Sequence, residues 1–259
     1  MNTKYELTDE TKNIYGVTLH RIRALRDIPS AGVKSGDLGG WIEKESNLSQ
    51  NGDAWVYGHA QVYGDARVCG DARVCGNARV CGNARVCGNA LVCGNAEVYG
   101  YARVYGDAEV YDNARVFGDA RVFGYARVCG DARVYGNALV FGDAEVYGYA
   151  RVCGDARVCG NALVCDNARV CGNARVCGNA RVYGNADYMT FKNSWSSGRW
   201  FTYTHSNKKW AVGCFYGTGE ELIKKAYADS ELSGKCYEAI VRAVETIEAA
   251  KAKAKGEMK

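Results

Sequence analysis

Proline is almost missing from this chain of 259 residues, with Pro29 the single example, and histidine is limited to His20, His59 and His205. No segment approaches the roughly 20 consecutive apolar residues that a membrane span requires. The polar start MNTKYELTDETKN lacks the apolar core of a signal peptide, so a cytoplasmic protein is expected. Charge of one sign is also lacking: the net +4 is mild for the length and announces neither a nucleic-acid nor a membrane partner. The 13 cysteines form no CxxC pair, which argues against a zinc or redox motif, and without an export signal they are expected as free thiols. Against these absences stand 32 glycines and 18 tyrosines. The cause of that bias is repetition.

From Ala54 to Asn185 the chain reads Ala-x-Val-z-Gly-[Asp/Asn] without a gap, 132 residues or 22 six-residue units. Ala78-Arg-Val-Cys-Gly-Asn83 and Ala102-Arg-Val-Tyr-Gly-Asp107 are typical. Alanine and valine sit two apart, so in an extended strand both point to one face while x points to the other. Glycine with Asp or Asn then supplies a corner, where restricted backbone is tolerated. The pattern extends upstream through Gly40-Trp-Ile42 and Ser46-Asn-Leu48, the latter unit carrying two extra residues, which brings the total to 24 units. The three corner positions Tyr101, Tyr125 and Tyr149 break the Asp/Asn rule. Because tyrosine is a poor left-handed residue, a reason is expected there, although the stretch 96–104 recurs at 144–152 and an internal duplication explains that copy without function.

This pattern resembles the hexapeptide repeat of left-handed parallel β-helices. The resemblance covers about residues 40–186 and implies three units per triangular coil. Eight coils follow, roughly 35–40 Å tall at the spacing of adjacent strands. The start YELT…TLHRIRAL…GDLGGWIE and the finish VGCFYGT-x-EEL further resemble hexapeptide-repeat proteins of phages, prophages and gut bacteria, a likeness that implies no activity.

The ends read differently from the repeat. Residues 1–39 are expected to form a small β cap, 40–186 the β-helix, and 187–259 an α+β cap. In the last, Arg199–Thr204 and Lys209–Tyr216 form a hairpin around the turn at His205–Lys208. Thr218-Gly-Glu-Glu221 is a capping box that opens a helix to about Ala228. A second helix is expected from about Gly234 to Ala250, with Tyr237, Ile240, Val241, Val244 and Ile247 on one face. The Lys-rich tail is expected to fray. Caps at both ends predict a finite particle rather than a filament.

Hexapeptide β-helices are best known as acyltransferases. Resemblance to that group implies a histidine base beside a loop that breaks the helix, and a cofactor groove between subunits. Here only His59 lies in the run, at a corner, and no loop interrupts it. A γ-type carbonic anhydrase would need three histidines around zinc, and the threonine arrays of ice-binding β-helices are missing. No catalytic residue, metal ligand or cofactor is therefore assigned.

What remains is surface. Residues 18 apart share a face. The first face carries Arg67, Arg85, Arg103, Arg121, Leu139, Arg157 and Arg175; the second carries Gln61, Arg79, Glu97, Arg115, Arg133, Arg151 and Arg169. The third carries Trp55, Arg73, Leu91, Glu109, Arg127, Glu145, Leu163 and Arg181. Corner carboxylates (Asp65, Asp71, Asp107, Asp119, Asp131, Asp143, Asp155) are expected to relieve repulsion between stacked arginines. The plain reading is an arginine-rich β surface. The sharper one is an anion-binding ladder, since the guanidinium fork suits phosphate and carboxylate. The z column is Cys near both ends and aromatic in the middle, as at Tyr99, Tyr105, Phe117, Phe123, Tyr135 and Phe141. These side chains either shield the sheet or form an interface with Tyr101, Tyr125 and Tyr149. Cys75/Cys93 and Cys159/Cys177 would lie within disulfide reach, but parallel stacking argues for free thiols.

The leading expectation is a non-enzymatic scaffold that presents its arginine and aromatic faces to a protein or anionic partner, nucleic acid included. Self-association through the Leu91/Leu163 face is also expected. Two other functions stay open: a nucleotide or small-molecule binder at oligomer clefts acting on host signalling or defence, and an acyltransferase, against which the histidine count argues.

Overall fold

The spacing of valine and alanine in the repeat dictates how the chain coils. A computed structural model describes residues 3–196 and 198–257, with side chains as far as residue 254. Two compact units emerge, Met1–Asp187 and Tyr188–Lys259. In the first, β1 (Tyr5–Ile14) and β2 (Val17–Ala24) form an antiparallel hairpin, and β2 pairs with β3 (Leu38–Ile42). Pairing then turns parallel, with Trp41 and Ile42 opposite Gln61 and Val62. Short strands follow from β4 (Trp55–Val56) to β25 (Arg181–Val182), each beginning with an x–Val pair. Each pairs in parallel with the strand 18 residues on, so three sheets climb the column.

The inward residues stack in three columns, Ile42 to Val170, Leu48 to Val176 and Val56 to Val182, each of eight rungs. Eight coils starting near Gly40 are thus a β-solenoid of the expected count. The two extra residues after Ser46 appear as a bridge of Leu48 to Val68 rather than to a residue 18 away. Every alanine and valine of the run is buried, and each valine so removed from water contributes about 1.5–3 kcal/mol. Coil-to-coil hydrogen bonds complete the ladder, as from Arg79 N–H to the Ala96 carbonyl at 2.9 Å.

Corners depend on the glycine. Gly88 has φ 71°, and a Cβ there would stand 2.9 and 3.0 Å from the Gly106 backbone nitrogen and oxygen. Aspartate replaces this glycine twice, at Asp112 (φ 58°) and Asp166 (φ 55°). Asp112 offsets the strain by accepting from the Gly130 N–H of the next coil at 3.2 Å. Tyr101, Tyr125 and Tyr149 follow the glycine and keep ordinary negative φ. The left-handed residue is the glycine before each of them, so these tyrosines need no backbone reason.

A second correction concerns the thiols. Cys159 and Cys177 form a disulfide, Cα atoms 4.6 Å apart, because in-register stacking brings successive z side chains within bridging range. The other eleven cysteines are thiols.

The first coil is closed from below by buried polar groups. Asn47 donates to the carbonyls of Gly64 (3.0 Å) and Ala66 (2.9 Å) and accepts from Lys44 N–H (2.9 Å). The buried Lys4 ammonium donates to the Ala54 carbonyl at 2.9 Å, and the Tyr5 hydroxyl donates to that of Leu48 at 2.7 Å.

The second unit has a four-stranded antiparallel sheet, β26 (Tyr188–Lys192), β27 (Trp200–Thr204), β28 (Lys209–Val212) and β29 (Phe215–Gly217). The expected hairpin is its centre. The predicted strand Lys209–Tyr216 is broken in two at Gly213, which has φ 55°. Helix α1 (Gly219–Asp229) has the predicted capping box at Thr218 and Glu221. Helix α2 (Glu231–Glu257) starts earlier than expected and runs through most of the tail that was expected to fray, in keeping with the helix propensity of its Ala and Lys residues. Gly234 lies inside α2, where a Cβ would meet the Tyr227 ring at 2.2 Å. Tyr237, Val241 and Val244 are buried against Phe201 and Trp210, whereas Ile247 is exposed.

Candidate anion-binding face

Parallel register places Arg67, Arg85, Arg103 and Arg121 on four successive coils of the first face, directly opposite one another. Leu139, Arg157 and Arg175 continue the column. The first five of these six arginines (Arg67, Arg85, Arg103, Arg121 and Arg157) are exposed, and none makes an ion pair among the described residues. Arg67, Arg85 and Arg103, with Ser46, Asp65, Asn83 and Tyr101, line an open cleft of about 290 Å³.

Each of the other faces carries glutamate, although on the second Arg115, Arg133 and Arg151 still stack in register above Glu97. On the second, Glu97 sits between Arg79 and Arg115 and bonds to both, the latter at 3.3 Å. On the third, Arg127 lies between Glu109 (3.5 Å) and Glu145 (3.8 Å). No corner aspartate of the run makes an ion pair with an arginine among the described residues; two of them join ladders along the corners, where Asn89 donates to Asp107 at 2.9 Å and Asn137 to Asp155 at 3.0 Å. Asp65 pairs with Lys44 at 2.9 Å, and this bond holds its carboxyl below the usual range. A corner side chain points along the column toward its counterpart one coil on, whereas an x side chain stands off the sheet. The neutralising residues are the x glutamates, legible in the sequence as opposite charges 18 apart.

Aromatic stacks flank the middle of this face. Tyr99, Phe117 and Tyr135 stack at 4.9 and 5.0 Å before its corner, and Tyr105, Phe123 and Phe141 stack at the same distances after its valines. All six rings are half-buried. Next to the second stack the strands lengthen to four residues, as in Arg103–Gly106. Ring faces are thus occupied by one another, which combines shielding of the sheet with a partly open apolar border.

Tyr101, Tyr125 and Tyr149 are exposed at three different corners, so they do not form one site. Only Tyr101 lines the arginine cleft. Leu91 and Leu163 share the third face but lie four strands apart, with the Glu109–Arg127–Glu145 network between them, and both are half-buried. His59 is an exposed corner residue, His20 is on β2, and His205 bonds to Glu248 at 2.6 Å in the second unit. Among the described residues no group of three or more His, Cys, Asp or Glu could hold a metal ion. No helix among them is long and apolar enough to cross a membrane.

A family model described as the YdcK beta solenoid repeat matches residues 60–76, 72–88, 78–94, 114–130, 126–140, 132–148, 150–166, 156–172 and 174–186. The column is similar to that repeat. The matches overlap along the coils and fall outside the two ends, so the likeness supports a repeat β-solenoid and extends to nothing beyond it. No curated protein matches the chain.

Proposed function

We propose that this protein is a non-catalytic binding scaffold whose first arginine face docks an extended anionic partner. The observation that carries the reading is the contrast between faces. Arg67, Arg85, Arg103 and Arg121 stack on four coils with no glutamate in their column, while Glu97, Glu109 and Glu145 are built into the other two. Stacked like charges raise the energy of the free column, and an anionic ligand that bridges successive coils would relieve it. Guanidinium groups at a strand spacing of about 4.8 Å suit carboxylates or phosphates carried on a linear chain. Because the flanking rings face one another, base stacking contributes little, and recognition rests on charge.

Fluorescence anisotropy with labelled polyglutamate and labelled duplex DNA tests this at 20 and 300 mM salt. The wild type is expected to bind at least one probe at low salt and to weaken steeply at high salt. Reversal of Arg103 and Arg121 to glutamate is expected to weaken binding on the order of 30-fold, since each of the two exposed ion pairs with the probe is worth ~1 kcal/mol. Absence of binding at 20 mM salt, or equal binding by the reversed variant, would overturn the reading. Preference for one probe identifies the class of partner.

A further inference from the structure

The outward z column of the first face reads Cys69, Cys87, Tyr105, Phe123, Phe141, Cys159, Cys177. Its upper pair joins the last two coils as a disulfide. The lower pair occupies the same column, with the same separation of 18 residues and the same Ala-Arg-Val-Cys-Gly surroundings. Arg67 and Val68 lie in register with Arg85 and Val86, as Arg157 and Val158 do with Arg175 and Val176. On the third face Cys75 and Cys93 repeat this arrangement, next to the paired Val74 and Val92. All four of these thiols are half-buried and follow adjacent paired strands. Cys153 and Cys171 on the second face are in register too, but Cys153 is buried away from an oxidant in solvent, and Cys81, Cys129 and Cys165 have tyrosine rather than cysteine 18 residues away on both sides.

We propose that Cys69–Cys87 and Cys75–Cys93 are two further sites of reversible disulfide formation, which staple the second coil to the third at two of its three corners. The oxidant belongs to the hydroperoxide class. One thiolate of a pair attacks a peroxide oxygen, breaking the O–O bond to give a sulfenic acid and, with one proton, water. The partner sulfur then displaces the sulfenic hydroxyl as a second water. Two thiols lose two electrons, and the peroxide gains them. Burial raises the Cys75, Cys87 and Cys93 thiols, Cys93 to about 12, so the reaction is expected to quicken as pH rises. The consequence is structural: the staples would fasten the coils that carry Arg67 and Arg85 in the cleft, independently of what the cleft binds.

The test counts thiols. Folded protein, purified without reductant, is treated with stoichiometric hydrogen peroxide, then denatured, alkylated with N-ethylmaleimide and weighed intact. The wild type is expected to take up four fewer maleimides than untreated protein, to remain a single chain by mass, and after dithiothreitol to recover all four together with the two thiols of Cys159–Cys177. Cys69→Ala and Cys87→Ala are each expected to lose two rather than four, and so is the double variant. Cys81→Ala, whose column neighbours are Tyr63 and Tyr99, is expected to lose four. No loss in the wild type, or a loss in Cys69→Ala equal to that of the wild type, would overturn the proposal. The wild-type count also stands when a variant fails to fold.

Discussion

Arg103 and Arg127 offer one substitution with opposite signs at two equivalent positions. Both are exposed x residues in mid-column, so replacing each with glutamine changes local β propensity and packing alike and isolates charge. Arg103 stacks between Arg85 and Arg121. Their backbones are about one strand spacing apart; for heads ~6 Å apart, like charges in water repel by ~0.7 kcal/mol per pair. Two neighbours make Arg103→Gln stabilising by about 1–1.5 kcal/mol at low salt, falling to about half that at 0.15 M as the Debye length shortens to ~8 Å. Arg127 instead lies between Glu109 at 3.5 Å and Glu145 at 3.8 Å. With ~0.2–1 kcal/mol for each exposed pair, Arg127→Gln is expected to destabilise by about 0.5–2 kcal/mol, and this too shrinks with salt. Urea unfolding followed by circular dichroism at 10 and 500 mM NaCl measures both midpoints. If the two substitutions shift stability in the same direction at 10 mM, or if neither shift responds to salt, the contrast between the faces does not hold.

Two further outcomes follow from buried groups. Asn47→Ala removes two donated bonds and one accepted bond from a fully buried site. A loss of about 2–4 kcal/mol is expected, visible as faster hydrogen exchange of the Asn47–Leu48 and Ala66–Val68 amides before the middle coils open; unchanged exchange there would contradict it. The thiols of Cys75, Cys81, Cys87, Cys93, Cys129 and Cys165 are raised first of all by burial. The folded protein therefore keeps protons that the unfolded chain releases above about pH 8.5. With fewer protons bound in the unfolded state, stability is fully present below that pH and falls as pH rises beyond it. Lys4, lowered to about 8 mainly by burial, and Lys12, also lowered mainly by burial, give an opposite slope below the ordinary lysine range near 10.4, but they are two groups against six. Urea midpoints at pH 7.5 and 10 check this, and a midpoint that rises with pH would count against it.

How much of this was legible beforehand depended on periodicity. Alanine and valine two apart in a six-residue unit place both inside a strand ladder and x outside it, which is a local consequence of side-chain alternation. The extra pair of residues after Ser46 was countable, so the eight coils and the composition of each face could be written from the sequence. The capping box at Thr218 was equally legible, because it is closed within four residues. The start of α2 was not, since Gly234 is required by the Tyr227 ring rather than by a helix boundary. The repeat alone does not say which of Gly and its successor has positive φ, and the structure gives it to the glycine.

The sequence by itself determined which residues share a face, because a constant period of 18 makes sequence separation equivalent to stacking. It also determined that the first face has arginine and no glutamate. Only the tertiary structure decided which charges meet. Corner aspartates lie as near to arginine in the chain as the x glutamates lie far from it, yet the glutamates make the ion pairs, because pairing follows the direction of the side chain off the sheet. The same holds for the cysteines: several are stacked by the period, but whether two sulfurs join, as in Cys159–Cys177, is a matter of rotamer and packing in three dimensions.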